Sequence, residues 1–247
     1  MRRVTRQLGV VVCAVAALVS SCSEARTVQS ESAPPQQNSS VAAEPGGAAP
    51  VSGGVRYLAL GDSLTQGVGA PDESTGAFPA LVAEHWRADG CDVELQNAGI
   101  SGYTAGQILA EQVPQIESFK PNVITFQAGG NDIANGISID EYRDNVKAVL
   151  DSATGSGARV IVLAQNDWPR SPVGVDYGES VPSQREAYDD VLIEEAATSG
   201  AEFVDLRVLY KQQADEGQWV EDGLHPTPEA YQSWADELTE KVPAPCK

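Results

Sequence analysis

Apolar residues along the chain follow two rhythms. Short runs rich in β-branched residues recur at VRYLAL (55–60), DVELQN (92–97), NVITFQ (122–127), RVIVLAQ (159–165) and EFVDL (202–206). Between them lie longer segments with apolar positions three and four apart: FPALVAEHWRA (78–88), AGQILAEQ (105–112), DEYRDNVKAVLDSA (140–153) and SQREAYDDVLIEEAAT (183–198). A last one, PEAYQSWADELTEKV (228–242), closes the chain. The first kind reads as strands buried on both faces, the second as amphipathic helices. Their alternation predicts an α/β fold. It is a five-stranded parallel sheet between two helix layers, a three-layer α/β/α, flavodoxin-like sandwich with strand order 2-1-3-4-5. In such a sheet ligands bind beyond the carboxyl ends of the strands, where the order reverses beside strand 1.

The first 54 residues break this rhythm. Arg2, Arg3 and Arg6 precede an uncharged, mostly apolar stretch from Leu8 to Val19. That stretch is too short to cross about 30 Å of hydrocarbon comfortably, so residues 1–21 read as a signal peptide rather than a membrane span. They lead into Val19-Ser20-Ser21-Cys22, which resembles the lipobox of bacterial lipoproteins. The resemblance implies that Cys22 carries lipid and begins the mature chain; an ordinary secretory signal is the alternative. The next stretch is rich in Ser, Ala, Pro, Gly and Gln and has no aromatic residue. It cannot bury enough apolar surface to offset its ordering entropy, so residues 22–54 read as a disordered tether. The folded domain is expected over residues 55–247.

Charge narrows the partners. The chain has 16 basic and 35 acidic residues, a net charge of −19. Loss of residues 1–21 removes three arginines and no acid, leaving 13 bases against 35 acids, or about −22. Such a surface repels nucleic acid and disfavours adsorption to anionic lipid. Membrane contact is therefore assigned to the lipid on Cys22, with the domain on the extracytoplasmic side. Of four cysteines, Cys13 leaves with the signal and Cys22 is lipidated. Cys91 and Cys246 remain as a candidate disulfide, with two free thiols as the alternative. The chain has no CxxC, HExxH or clustered His/Cys set, so no metal and no cofactor are expected.

The loops after the predicted strands are unusual. Gly61-Asp62-Ser63-Leu64 follows strand 1, Asn97 to Thr104 follows strand 2, and Ala128-Gly129-Gly130-Asn131-Asp132 follows strand 3. Glu221-Asp222-Gly223-Leu224-His225-Pro226 precedes the last helix. All four belong to one edge of the sheet. A serine hydroxyl becomes a nucleophile when a base removes its proton, and imidazole does this near neutral pH. There are two histidines. His85 falls inside a helix pattern, where a structural, partly buried role fits. His225 is then the base, and Asp222, three residues earlier, can reach its Nδ1 to fix the tautomer. No GxSxG occurs, which excludes the nucleophile elbow of α/β-hydrolases.

In these blocks the chain resembles the SGNH/GDSL hydrolase family over Gly61 to Pro226: a serine in GDSL, a glycine, an asparagine in GxND and a DxxH. The resemblance implies the SGNH-hydrolase fold, with Ser63 as nucleophile and Asp222 and His225 as its partners. It also implies an oxyanion hole made by the backbone N–H groups of Ser63 and Gly102 and the side-chain amide of Asn131. Asp132 is expected to hold its loop by hydrogen bonds, and Gly129 and Gly130 to shape the turn.

The predicted reaction is ester hydrolysis through an acyl-enzyme. Members of the family act on carboxylic esters, acetylated sugars, thioesters and lipids, so the partner is a small-molecule, glycan or lipid ester. The chain has no continuous apolar lid helix, which favours short-acyl or acetyl esters. Lipid hydrolysis or acyl transfer on the same residues, and a non-catalytic glycan-binding surface protein, are the alternatives. The long segment Asn166–Pro182 follows strand 4 on the active edge. Its Trp168 and Tyr177, with Trp219 near the DxxH block, suit a subsite and local packing equally.

Overall fold

The computed structural model describes residues 54–247; the expected signal peptide (1–21), Cys22 and the expected tether before residue 54 lie outside the described residues. The chain runs through β1 (Val55–Gly61), α1 (Ser63–Gln66), α2 (Glu73–Gly76), α3 (Phe78–Ala88) and β2 (Val93–Asn97). Then follow α4 (Ala105–Gln107), a π-helical turn (Ile108–Gln112), α5 (Gln115–Phe119), β3 (Val123–Gln127), α6 (Gly130–Ala134) and α7 (Ile139–Gly155). β4 (Arg159–Leu163), α8 (Val181–Ser199), β5 (Glu202–Val204), α9 (Arg207–Glu216) and α10 (Pro228–Lys241) complete it.

All neighbouring strands pair in parallel in the order β2-β1-β3-β4-β5, as the alternation of elements predicts. Because successive side chains point to opposite faces, β1 sends Tyr57 and Ala59 to one side and Leu58 and Leu60 to the other. The first face is covered by Phe78 and Trp86 of α3, Tyr210 of α9 and Trp234 of α10. The second is covered by Ile108, by Val146 and Leu150 of α7, and by Leu192 of α8. This is the expected three-layer sandwich. The strands differ in where they stop. Pairing of β1 with β2 ends at Ala59↔Asn97, whereas pairing with β3 continues to Gly61↔Gln127.

The predicted helices are found, within two residues at each end, except over 105–112. There the helical spacing is real, but a three-residue helix gives way to the π-helical turn, which admits one more residue per turn. Strand 4 stops at Leu163, so Ala164, Gln165 and Asn166 belong to the loop that follows. Helix α9 has no counterpart among the predicted elements. Among its residues only Tyr210 and Gln213 are buried, and Val208 is 83% exposed, so its sequence lacks a strong apolar stripe.

Cys91, just after α3, is joined to Cys246, beyond α10, by a disulfide between residues 155 apart in sequence, with Cα atoms separated by 5.6 Å. The bridge ties together the ends of two packed helices. In the chain-entropy account, closing a loop of that length stabilises the fold by about 5 kcal/mol.

Candidate active site

The site is assembled from strand ends. β1 terminates at Gly61, and Asp62 caps the short helix α1 by accepting the Leu64 N–H at 3.0 Å. This turn puts Ser63 at the first position of α1, where its own N–H has no acceptor within the helix. On the opposite side of the crevice, β3 ends and the chain turns at Gly129 into α6, which carries Asn131. The Asp222–His225 turn stands just before α10. His225 Nδ1 lies 2.6 Å from Asp222 Oδ2, while Asp222 Oδ1 accepts the backbone N–H groups of Leu224 (2.8 Å) and His225 (3.0 Å). The Asp222 carboxylate is thus fixed at both oxygens. Partial burial acts to raise its pKa, but the hydrogen bonds from His225 and Leu224 outweigh this and hold it below the usual carboxylate value.

Two further contacts hold this turn. The loop after α1 runs beneath it: at Gly69, whose φ is +104°, a Cβ would lie 2.5 Å from the Pro226 carbonyl oxygen and 3.4 Å from His225 Cβ, so only glycine allows that approach. From the other side, Val173 N–H donates to the Gly223 carbonyl at 3.0 Å. The long loop after β4 is therefore fastened to the segment that carries the histidine.

Ser63, Asn131 and His225 come together as walls of one pocket of about 70 Å³. Its other walls include Leu64, Trp168 and Tyr177. Asp222 stands behind His225 and outside the lining, as its contact with Nδ1 requires. Gly102 is exposed and also lies outside the lining, on the loop that leads from β2 to α4. That loop is docked from two directions. Asn97 Nδ2 donates to Thr65 O (2.7 Å) and Ser101 N–H to Gln66 Oε1 (2.7 Å), which binds it to α1. Asn131 Nδ2 donates to Tyr103 O (3.0 Å), and both Asp132 oxygens accept the Ala105 N–H, which binds it to α6. Asp132 thus holds its loop as expected.

Asn131 Nδ2 makes a second, longer contact of 3.3 Å to Asp62 Oδ2. Desolvation by burial, reinforced by the nearby Asp132 carboxylate, raises Asp62 to about 7 against hydrogen bonds that lower it. At 3.3 Å against 3.0 Å, the contact with Asp62 is the weaker of the two that Asn131 Nδ2 makes.

Sequence reading did not single out the pocket floor. Gln165 and Asn166 are both 2% exposed. Gln165 Oε1 accepts Trp168 Nε1 at 3.2 Å, whereas Gln165 Nε2 and both polar atoms of Asn166 have no protein partner. Trp168 is buried in the wall and makes an edge contact with Tyr177, their centroids 5.4 Å apart. Trp219 instead pairs with Pro226 in an isolated bridge beside the histidine turn. His85 lies on the surface of α3, its Nε2 2.9 Å from Asp236, far from this chemistry in role.

Burial also raises Asp132 and Asp189 to about 6. With Asp62, these three acids bind a proton more tightly in the folded state than in the unfolded chain. The stability they contribute is complete below about pH 4 and is lost as pH rises through 6 to 7. Asp222 acts with the opposite sign, but below that window. The thermal midpoint is therefore expected to fall between pH 5 and pH 8, and a melt series with a flat or rising midpoint would contradict this assignment.

Fold and site together define a class, the ester-hydrolysing serine hydrolases. A model of the GDSL-like Lipase/Acylhydrolase family matches residues 59–233, and the chain belongs to that family. It is 28% identical to an arylesterase of Vibrio mimicus over 184 residues, covering 74% of this chain and 85% of the relative. It is 29% identical to the esterase TesA of Pseudomonas aeruginosa over 169 residues, covering 68% and 78%. A crystal structure of TesA superposes with a TM-score of 0.65 at 26% identity, covering 76% of this chain and 98% of that one. An acetyl xylan esterase from Geobacillus stearothermophilus shares the fold, with a TM-score of 0.63 at 18% identity over 76% and 94% of the two chains.

Proposed function

We propose that the protein is a serine esterase for short-acyl, chiefly acetyl, esters, and that Ser63, His225 and Asp222 form its catalytic triad. The observation that carries this reading is the small pocket in which Ser63, Asn131 and His225 meet while Asp222 fixes His225 Nδ1. Asp222 holds the Nδ1–H tautomer, leaving Nε2 free to accept the Ser63 proton. Ser63 Oγ attacks the ester carbonyl carbon, and the tetrahedral oxyanion is met by the Ser63 and Gly102 N–H groups and the Asn131 amide. For this, Asn131 surrenders its long contact with Asp62. The imidazolium protonates the departing alcohol, and an acyl-enzyme remains on Ser63. Water, deprotonated by His225, then releases the acid and restores the serine.

Pocket size supports a short acyl group. About 70 Å³ is roughly half the ~150 Å³ of an apolar cavity able to hold benzene. In a p-nitrophenyl ester series, kcat/KM is expected to fall by about tenfold or more between acetyl and long acyl chains, since a chain that does not fit loses its binding energy. A rate that climbs with chain length would redirect the assignment to lipid esters. An acyl-transfer reaction would reveal itself as acceptor-dependent product.

The same proposal places the domain outside the cytoplasm, anchored to the cell membrane by lipid on Cys22 and reaching its substrate over the tether of residues 22–54. The acidic composition, with 35 acids to 16 bases, supports attachment by lipid rather than by charge and argues against a nucleic-acid partner. Cys22→Ala is expected to move the protein from the membrane fraction to the soluble one. Retention at the wild-type level would sink the anchor.

A further inference from the structure

We propose that Gln112 is a positioning residue for Ser63: its buried side-chain amide occupies the place that β2 vacates in the sheet and fixes Gly61 at the root of the nucleophile turn. The inference rests on the reading of Ser63 as the nucleophile. Gln112 is 0% exposed. Its Oε1 accepts the Gly61 N–H at 2.9 Å, and its Nε2 donates to the Gly61 carbonyl at 2.8 Å. One side chain therefore satisfies both backbone groups of one residue, 51 positions away in sequence.

The topology explains the need. Gly61 is the last residue of β1, and its N–H and C=O both point to the β2 side. On that side the ladder has already ended, at Ala59↔Asn97, because the chain leaves to form the loop that carries Gly102. Without Gln112 the buried Gly61 N–H would have no acceptor, and the Gly61 carbonyl would keep only the Ile100 N–H at 3.2 Å. A primary amide is planar and presents a donor and an acceptor side by side, which matches the C=O and N–H that one extended residue turns to the same edge. Gln112 thus acts as a surrogate residue of β2. It lets the real strand swing away without freeing the end of β1.

The π-helical turn supplies the geometry. Val113 N–H bonds back five residues to Ile108 O at 3.1 Å, and the wider turn buries Gln112 as well as Ile108. The Gly61 carbonyl also accepts the Ile100 N–H at 3.2 Å, from the Gly102 loop itself. Nucleophile turn and oxyanion loop are consequently tied at a single residue, and Gln112 holds that residue. Ser63 lies two positions further on, so a small displacement of Gly61 moves Oγ relative to His225 and to the oxyanion donors.

The test uses the full chain and two variants. Gln112→Met keeps the length of the side chain and removes both bonds; Gln112→Glu keeps an acceptor for the Gly61 N–H and can donate to the Gly61 carbonyl only while protonated. Gln213→Met is the structural control. Gln213 is also buried, on the opposite sheet face, and bonds Trp234 Nε1 (2.6 Å) and Ala230 O (3.3 Å). The readouts are kcat and KM on p-nitrophenyl acetate, the rate of Ser63 labelling by a fluorophosphonate, and the thermal midpoint. Gln112→Met is expected to lower kcat and labelling by about tenfold or more with little change in KM, since small misplacements of reacting groups cost rate. Gln112→Glu should fall between it and wild type. Gln213→Met should lower the midpoint comparably and leave both rates within about twofold. If Gln112→Met keeps the wild-type kcat, or fails to fold while Gln112→Glu keeps the wild-type kcat up to the pH at which its carboxyl is ionised, the inference is overturned. Absence of Ser63 labelling in the wild type would instead overturn the nucleophile reading on which it rests.

Discussion

Replacing Ser63 by alanine is expected to lower turnover of p-nitrophenyl acetate by about 10⁴-fold or more, with the thermal midpoint nearly unchanged. Removal of Oγ deletes the atom proposed to form the acyl-enzyme, while the proposed oxyanion donors and the pocket remain. Residual turnover would then come from binding and electrostatic stabilisation alone. The fold should tolerate the change well. Ser63 is 9% exposed, and the cap of α1 is made by Asp62 rather than by the serine itself. Side-by-side kinetics of wild type and variant, with mass spectrometry of the trapped acyl-enzyme, decide the matter. A Ser63→Ala protein that turns over at near the wild-type rate would falsify the nucleophile assignment.

The second large effect is expected at Asp222. Asp222→Asn should lower kcat by about 10³-fold with KM little changed. The reason lies in the two oxygens of this side chain. Oδ1 accepts the Leu224 and His225 N–H groups, and an asparagine oxygen can continue to do so. The amide nitrogen then falls where Oδ2 now meets His225 Nδ1. It presents a hydrogen to Nδ1, which favours the tautomer protonated at Nε2, and that form cannot take the serine proton. The loss is smaller than for Ser63 because Asp222 is 44% exposed, so water can in part solvate the imidazolium. Asp222→Asn kinetics across pH 6 to 9, read beside its melting curve, measure this. A fall in stability that parallels the fall in kcat would point to a folding defect instead.

Much of this arrangement was legible in the sequence, for a physical reason. Strands buried on both faces must be apolar throughout, and helices covering a sheet must be apolar on one face, so β1, β3, β4, α3, α7 and α10 announce themselves. The edge strands β2 and β5 are only partly buried, against the expectation, and show through their place in the alternation. The strand ends then place GDSL, the Gly102 loop, the Asn131 turn and the Asp222–His225 turn on one edge. Other features carry no local signature. Helix α9 buries only Tyr210 and Gln213, so its pattern resembles a solvated loop. Gln112 sits in a helical rhythm, and its partner, 51 residues earlier, leaves no trace in spacing. The Gln165–Asn166 floor was hidden by the apolar run of strand 4, which seemed to continue through residue 165 but stops at Leu163. Side-chain roles defined by distant backbone are what sequence pattern leaves out.

The Cys91–Cys246 bridge has a consequence for the order in which the molecule matures. Synthesis runs from the N-terminus, and Cys246 follows α10, the last helix of the fold. The bridge therefore cannot close until all five strands and α10 have been made. By then the sheet and both helix layers can already have formed, and oxidation only clasps the seam between α3 and α10. The covalent step thus clasps elements from the two ends of the fold. Loss of Cys246 would leave all five strands intact but abolish the latch, and an unmated Cys91 would remain as a thiol beside the core.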